Sequence, residues 1–424
     1  MIDIKLLRQD PDAFIRAAEL KNCPVDIPAL LEIDRELVEI TRRHQEARTA
    51  QSAAGKEIAK LIGPEKEGAI KRMAEFKAAV KELEDRRGKL QPKFDELMLL
   101  VSQPPCADVP IGADETENVE VRRAGDVPSF DFEPLDHVEL GQKLDIIDIP
   151  GGVKLAGSRN YALKGAGAML HYAVLRLAMD AMIDRGYELL SLPVLVNEDI
   201  MYGTGYFPVG RDDAYLCERD GMSLIGTSEV PLTAYHSDEV LDVADLPKKY
   251  VATSTCFRRE AGAAGKDTHG LYRIHVFDKV EQVVICRNDE RESLEHHEAI
   301  LANAEAVMAL LALPYRVVNV CTGDLGQGQV QKFDIETWMP SRNSYGETHS
   351  ASRFHDFQAR RLNIRYRDEA GKMHFAHTLN NTVIASPRIL IPLLEINQNA
   401  DGSVTVPKAL RPYMRGLEKI EPTA

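Results

Sequence analysis

Five residues in one stretch are of the types that could act on a charged substrate together. The segment TSTCFRREAGAAGKDTHGLYRIHVFDKVE (253–281) carries Arg258, Glu260, Arg273, Phe277 and Glu281 on two hydrophobic runs that flank a Gly- and Ala-rich, charged loop. That pattern predicts a strand, a long loop and a returning strand. Even spacing puts Arg258 with Glu260, and Arg273 with Phe277 and Glu281, on one face of their strands. A guanidinium fork donates in parallel to phosphate oxygens, and an aromatic ring stacks on a purine. Any one of these residues alone would read as part of a salt-bridged surface. Together they read as a face that holds a ligand.

Other motifs near this stretch are discounted. GAAGK (262–266) lacks the four-residue spacing before Gly-Lys and the following Ser or Thr of a phosphate loop. No H-E-x-x-H and no G-x-S-x-G occurs, so zinc-protease and hydrolase readings have no support. His269, His275, His349, His355 and His377 are read as pocket-wall or loop residues rather than metal ligands. Cys256, two residues before Arg258, is read as small packing material rather than a reactive thiol. The six cysteines are far apart and form no C-x-x-C pair, which argues against a zinc ribbon or a disulfide framework.

The elements that must position these residues follow two grammars. From Leu30, apolar and small residues fall at steps of three and four through Ile33, Leu37, Ile40, His44, Ala47, Gln51, Ala54, Ile58 and Leu61, a heptad seam. After a break at Gly63-Pro64, a second series runs through Met73, Phe76, Val80, Leu83, Arg87, Leu90, Phe94, Leu97 and Val101. Two such helices joined by one turn predict an antiparallel coiled-coil hairpin over 28–103, projecting as an arm, with His44, Gln51 and Arg87 as register-setting polar seam residues. From Pro105 onward, short β-branched runs such as YVATSTCF (250–257), EQVVIC (281–286) and YRVVNV (315–320) alternate with helical patterns over 170–184 and 288–311. This part reads as α+β around an antiparallel sheet.

Length and charge bound the rest. A chain of 424 residues suits two or three domains. The net charge of −14 argues against a generic basic coat for nucleic acid, so any RNA contact must be local. Residues 28–103 hold 15 Lys or Arg against 14 Asp or Glu, near +1, which leaves −15 for the remainder. The N-terminus lacks an apolar leader and no run of eighteen apolar residues occurs, so a soluble, cytoplasmic protein without a membrane role is expected.

CFRREAG followed by GLYRIHVFDKVEQV resembles motif 2 of the class II aminoacyl-tRNA synthetases, and in detail that of the seryl-tRNA synthetase family. The resemblance continues through GTSEVPLTAYHSDEVL (226–241), VCTGDLG (320–326), DFQARRLNIRYR (356–367) and DGSVTVPKALRPYM (401–414). Motif 1 would be the helix after Leu170 and the strand YELLSLPVLV, with Pro193 at the usual proline position. No HIGH-like or KMSKS-like signature of the other synthetase class is present. The resemblance covers essentially the whole chain. It implies an N-terminal tRNA-binding domain over 1–105 and a class II catalytic domain over 106–424.

What the resemblance implies for the site is specific. Arg258 would hold the α-phosphate of ATP and the serine carboxylate, Arg273 and Arg388 the distal phosphates, and Phe277 would stack on adenine with Glu260 near its amino group. Glu347 and Ser350 of GETHSAS would hold Mg2+, for which hard oxygen donors are suited. Thr227, Glu229, Glu281, Asn380 and Thr382 would form the serine pocket, alongside Arg258. The reaction would join serine to tRNA(Ser) through a seryl-adenylate, in a homodimer whose arms grip tRNA. Some members of the family also charge the selenocysteine tRNA, an acceptor that the sequence leaves open. Motif 3 departs from its common form, reading Asn380-Asn381-Thr382 where glycine-serine usually follows the asparagine, and Ser386-Pro387-Arg388 where glycine usually precedes the arginine. GETHSAS likewise differs from the more frequent serine- and cysteine-rich version.

Two competing readings make different demands. A synthetase relative that loads a carrier protein or serves antibiotic metabolism or resistance commonly lacks the tRNA arm, whereas this chain carries one. A non-catalytic RNA-binding paralogue predicts broken phosphate positions, whereas Arg258, Arg273, Glu347 and Arg388 are all present.

Overall fold

The computed structural model describes residues 2–58, 60–262, 265, 267 and 269–423. The chain separates into two units, Met1–Pro104 and Pro105–Ala424. In the first, helices α1 (Ile4–Gln9) and α2 (Pro11–Leu20) begin on the side-chain caps of Asp3 and Asp10. Two long helices follow, α3 (Ile27–Ile58) and α4 (Pro64–Leu100). Asp26 Oδ1 accepts the Ala29 amide at 2.9 Å and caps α3. Gly63 adopts φ 68° immediately before Pro64, a backbone that glycine tolerates and that lets proline open the next helix. With 32 and 37 residues, the pair reaches roughly 48 and 55 Å at about 1.5 Å per residue.

The seam between α3 and α4 follows the apolar spacing in its lower half and thins toward the tip. Leu30, Leu37 and Ile40 are buried against Val80, Leu83 and Met98, whereas His44, Ala47, Gln51, Ala54 and Ile58 are only half-buried. Antiparallel pairing is fixed by ion pairs across the hairpin, Arg86 with Glu36 at 2.5 Å and Arg48 with Glu84 at 3.1 Å. Two expected seam assignments differ: Leu61 lies past the end of α3 and Arg87 is exposed, whereas His44 stays in the seam and reaches Glu84 of α4 at 3.1 Å. The buried polar residue near the base is instead Asp34, which accepts two hydrogen bonds from Arg8 at 2.6 and 2.8 Å.

The second unit is built on one eight-stranded sheet. Its strands are β1 (Val119–Ala124), β2 (Glu188–Leu189), β3 (Lys248–Phe257), β4 (Val276–Cys286), β5 (Tyr315–Asn319), β6 (Gln331–Met339), β7 (Ser344–Arg353) and β8 (His377–Ser386). They lie in the order β1-β5-β6-β7-β8-β4-β3-β2, antiparallel except where β2 runs parallel to β3. The expected strand YELLSLPVLV is two short pieces, β2 and Leu195–Asn197, with Pro193 between them. Proline cannot donate to a ladder, so the run breaks there.

The central strand β4 shows why the site sits where it does. Its even-numbered residues Val280, Val284 and Cys286 enter a core shared with helices α5 (Gly165–Ile183) and α7 (Glu290–Leu311). Its odd-numbered residues Val283 and Ile285 join a second core with Leu232, Leu362 and Ile364. Further along that second face, Phe277, Lys279 and Glu281 replace the aliphatic side chains. Toward the same end the other face carries Asp278, which is satisfied within the protein by Thr255 Oγ1 at 2.7 Å and His171 Nε2 at 2.9 Å. Helix α5 is, among the described residues, the one helix long and apolar enough to cross a membrane, yet Leu170, Val174, Leu177, Ala178 and Met182 on it are packed into the first core.

Candidate active site

The pocket opens on that charged end of β4. It is lined by Arg258, Glu260, Tyr272, Phe277, Lys279, Glu347, Thr348, His349, Ser350, Thr382, Ala385 and Arg388, with Leu271 and Ile274 beneath. Three neighbouring strands supply it. Glu281 of β4 stands opposite Thr382 of β8, while Lys279 stands opposite Ala385, so one extra residue, Val383, is accommodated between them as a bulge. The bulge keeps Thr382 and Ala385 on the pocket side. Ser350 and Glu347 come from β7.

The strand assignments for three of the expected residues are corrected. β3 ends at Phe257 and β4 begins at Val276, so Arg258, Glu260 and Arg273 lie on the connecting segment rather than on strand faces. Parity along a strand did not bring them together. Arg258 instead is held by its backbone, whose amide donates to the His275 carbonyl at 2.9 Å, and by Nε donating to the Gly226 carbonyl at 3.3 Å. Its guanidinium lies 5.1 Å from the centre of the Phe277 ring. Glu260 takes φ 55°, turning its carboxylate back to accept Arg273 Nη1 at 2.8 Å. Arg273 also approaches Asp267 at 3.8 Å, so two carboxylates face it and it does not line the pocket. The discounted 262–266 run lies partly outside the described residues.

Arg388 is fixed between two main-chain acceptors, Tyr272 O through Nε and Glu347 O through Nη1, both at 3.0 Å. Its guanidinium lies 4.5 Å from the centre of the Tyr272 ring, and Arg342 lies 4.2 Å from the same ring. The Glu347 carboxylate is half-exposed, 3.8 Å from Arg388. Desolvation opposes its charge, but Arg388, Lys332, Arg258 and Lys279 outweigh that and hold it below the usual carboxylate range. An ionised, accessible carboxylate beside the Ser350 hydroxyl is a donor set that fits a hard divalent cation.

At the inner end the groups are buried. Glu281 Oε2 accepts Lys279 Nζ at 2.6 Å and Thr382 Oγ1 at 3.2 Å. Glu229 opens the short helix α6 (Glu229–Ala234) and accepts the Tyr206 hydroxyl at 3.1 Å and the Gln358 amide at 2.8 Å. Burial, and then the Glu281 charge, push its carboxyl up to about 7, against the opposing help of Gln358, Lys279 and Tyr206. Thr227 Oγ1 accepts the Glu229 amide at 3.1 Å. Asn380 is buried with its Nδ2 unpartnered. Thr227, Glu229, Glu281 and Asn380 are thus buried outside the pocket lining, with Glu281 joined to it through Lys279 and Thr382.

Sequence reasoning missed Lys279, Tyr206 and Gln358. Lys279 shares parity with Phe277 and Glu281, so the two-residue period already pointed at it. Tyr206 comes from a distant segment outside the quoted motifs, while Gln358 lies within DFQARRLNIRYR without a role having been read for it. The unusual Asn381 faces the other side of the sheet, where its Oδ1 accepts Gln282 Nε2 at 2.7 Å and its Nδ2 donates to the Ser350 carbonyl at 2.9 Å. Asn381 therefore adds no side chain to the pocket, whereas Thr382, the other half of that departure, lines it. Cys256 is fully buried and its thiol is pushed up by desolvation, as small packing material would be.

Comparison with known proteins adds an independent line. Residues 1–105 match the seryl-tRNA synthetase N-terminal domain, and residues 215–397 match the tRNA synthetase class II core domain (G, H, P, S and T). The chain is 45% identical over 418 residues to the serine–tRNA ligase of Deinococcus radiodurans, covering 99% of this chain and 98% of that protein. The crystal structure of seryl-tRNA synthetase from Pyrococcus horikoshii complexed with ATP superposes with a TM-score of 0.93 at 35% identity, covering all of both chains. That of the cytoplasmic serine–tRNA ligase from Naegleria fowleri in complex with AMP does so with a TM-score of 0.88 at 29% identity, over 100% of this chain and 99% of that one.

Proposed function

The chain belongs to the seryl-tRNA synthetase family, and from that premise we propose that it activates serine with ATP and esterifies it onto the 3′-terminal adenosine of tRNA(Ser). The observation that carries this reading is one continuous pocket wall. It runs from Arg388 and Arg258, which suit phosphates, to Lys279 and Thr382, behind which Glu281 is hydrogen-bonded to Thr382 at 3.2 Å and suits an amine.

The roles follow from that polarity. Arg258 holds the α-phosphate and the serine carboxylate, so the two reacting groups meet at one guanidinium. The carboxylate attacks the α-phosphorus in line and pyrophosphate leaves, with no enzyme nucleophile. Arg388 and Arg273 hold the departing phosphates, and Arg273 must exchange Glu260 and Asp267 for them. Adenine stacks on Phe277, with Glu260 beside its amino group. Glu347 and Ser350 would hold Mg2+, which when bound neutralises charge on the phosphates. The serine ammonium is received by Glu281, Glu229 and Thr227, and its hydroxyl by Thr382 and Asn380. Alanine would leave those buried groups unpaired and is rejected for that reason.

The N-terminal unit, as a tRNA-binding domain, recognises its partner by shape, in keeping with an arm that is long and barely basic. A homodimer in the cytoplasm is the assembly we favour. Tyr172 on the outer face of α5 and the nearby-in-sequence Leu155 are strongly exposed apolar side chains, which an interface would cover. A solely monomeric species by native mass spectrometry at micromolar concentration would contradict it. The overall reading is tested by charging of a tRNA(Ser) transcript with labelled serine. Accumulation of seryl-tRNA supports it, and ATP turnover without any charged tRNA contradicts it.

A further inference from the structure

Away from the pocket, the segment that opens the second unit meets the start of α7 and the turn after β7. Cys106, Glu290 and His355 bring a thiol, a carboxylate and an imidazole to where their ligand atoms all lie within 4.8 Å of one another. Among the described residues this is the one such convergence of three groups. None of them lines the substrate pocket. We propose that Cys106, Glu290 and His355 form a structural site for a zinc-class divalent cation.

The contacts around the cluster are unfinished in a way that a cation would complete. His355 Nε2 approaches Glu290 Oε2 to 2.8 Å, yet too obliquely for a well-formed hydrogen bond, and it has no other partner. His355 also takes φ 48°, an uncommon backbone for a non-glycine residue, so its ring is held there against a local preference. Its ring stacks on His377 at 4.8 Å between centroids, and the buried His377 Nδ1 is likewise unpartnered.

The donor set selects the ion. Sulfur, nitrogen and one carboxylate suit zinc, whereas magnesium and calcium require mostly oxygen. Bonds of about 2.0 to 2.3 Å put tetrahedral ligands roughly 3.3 to 3.8 Å apart, so the observed spacing closes with shifts of about an ångström. The fourth position falls to water or, after a ring turn, to His377. Binding forms the metal–sulfur bond, and the Cys106 proton leaves to solvent.

The buried Arg353 is compatible with this charge. Its Nη2 donates to Cys106 Sγ at 3.0 Å and its Nη1 to Glu290 Oε1 at 2.8 Å. Such N–H donors are what surrounds ligating thiolates and carboxylates. Glu290 and, once the metal has displaced its proton, Cys106 together offset the charge of the cation and Arg353. The ligands lie at positions 106, 290 and 355, so a metal would clip three remote segments, and no sequence spacing could have revealed it. The expectation that His355 is not a ligand is thereby revised.

The test uses the full-length protein, stripped with a chelator and titrated with Co2+. The expected result is about one equivalent bound, with a thiolate-to-cobalt charge-transfer band, displaced by Zn2+. Cys106→Ser abolishes the band and His355→Ala lowers occupancy at least about tenfold, while Cys321→Ser and Cys23→Ser leave both unchanged. Zinc raises Tm in the native protein and not in Cys106→Ser. A native protein that gives no cobalt band, or a band that survives Cys106→Ser, overturns the proposal.

Discussion

Lys279 Nζ lies 2.6 Å from Glu281 Oε2, with the two residues 6% and 1% exposed. The pair is a buried salt bridge behind the pocket, and Thr382 is hydrogen-bonded to the same carboxylate oxygen. The carboxylate proposed to accept the substrate ammonium is thus held in place beforehand by a lysine of the same strand.

Lys279→Met strands that carboxylate next to Glu229. Breaking one side of a buried pair costs about 3 to 5 kcal/mol, part of which appears as lost stability. The expected kinetic signature is a serine KM raised at least about tenfold, a loss of about 1.4 kcal/mol or more, with the ATP KM little changed. Steady-state pyrophosphate exchange measures both, and an unaltered serine KM would remove Lys279 from the site.

Glu229 makes stability depend on pH. Its carboxyl is raised from 4.5 to about 7, so the folded chain holds a proton across that window which the unfolded chain has released. Its favourable contribution is fully present below about pH 4.5 and is lost as pH rises to about 7. Glu229→Gln should therefore favour stability more at pH 8 than at pH 5, by a free-energy difference bounded at about 3 kcal/mol, read as a Tm gap between variant and native protein that widens as pH rises. Parallel melting curves of the two proteins across pH would refute this. An arriving ammonium favours the ionised form, so the native serine KM should fall as pH passes about 7.

Arg388→Ala removes a guanidinium that is already aimed by two carbonyls. Pyrophosphate exchange should drop by roughly 100- to 1000-fold, the usual effect of deleting one preorganised donor at developing charge. Arg388→Lys should recover little, because lysine lacks the fork that bonds both Tyr272 and Glu347. Full activity in the lysine variant would mean that only charge matters there.

Deleting residues 28–103 with a short linker should spare serine-dependent exchange and abolish tRNA charging. Equal loss of both half-reactions would show that the arm supports the catalytic unit itself.

The sequence made some of this legible and hid the rest for definable reasons. The heptad spacing located both arm helices, because burial along α3 and α4 follows a period that can be read off residue by residue. It misplaced Leu61 and Arg87 because helix ends and exposed charges obey local solvation instead. Phe277 and Glu281 were found by strand parity, and Lys279 was open to the same logic. Arg258, Glu260 and Arg273 were the right residues for the wrong geometric reason, since a connecting segment rather than a pleat carries them. Asn381 faces away from Thr382 by the same alternation, whereas the bulge at Val383 that brings Ala385 to the pocket, and the tertiary packing that carries Tyr206 and Gln358 to Glu229, have no announcement in the two-residue period.

The central claim is serine activation at this pocket, and ATP–pyrophosphate exchange with serine, alanine, threonine, cysteine and glycine tests it most directly. The native protein should exchange with serine in preference to all four others. Thr382→Ala should shrink the serine-to-alanine ratio by roughly 10- to 100-fold, as expected when a buried hydroxyl partner is lost. Exchange driven by another amino acid, or none with any of the five, would contradict the account.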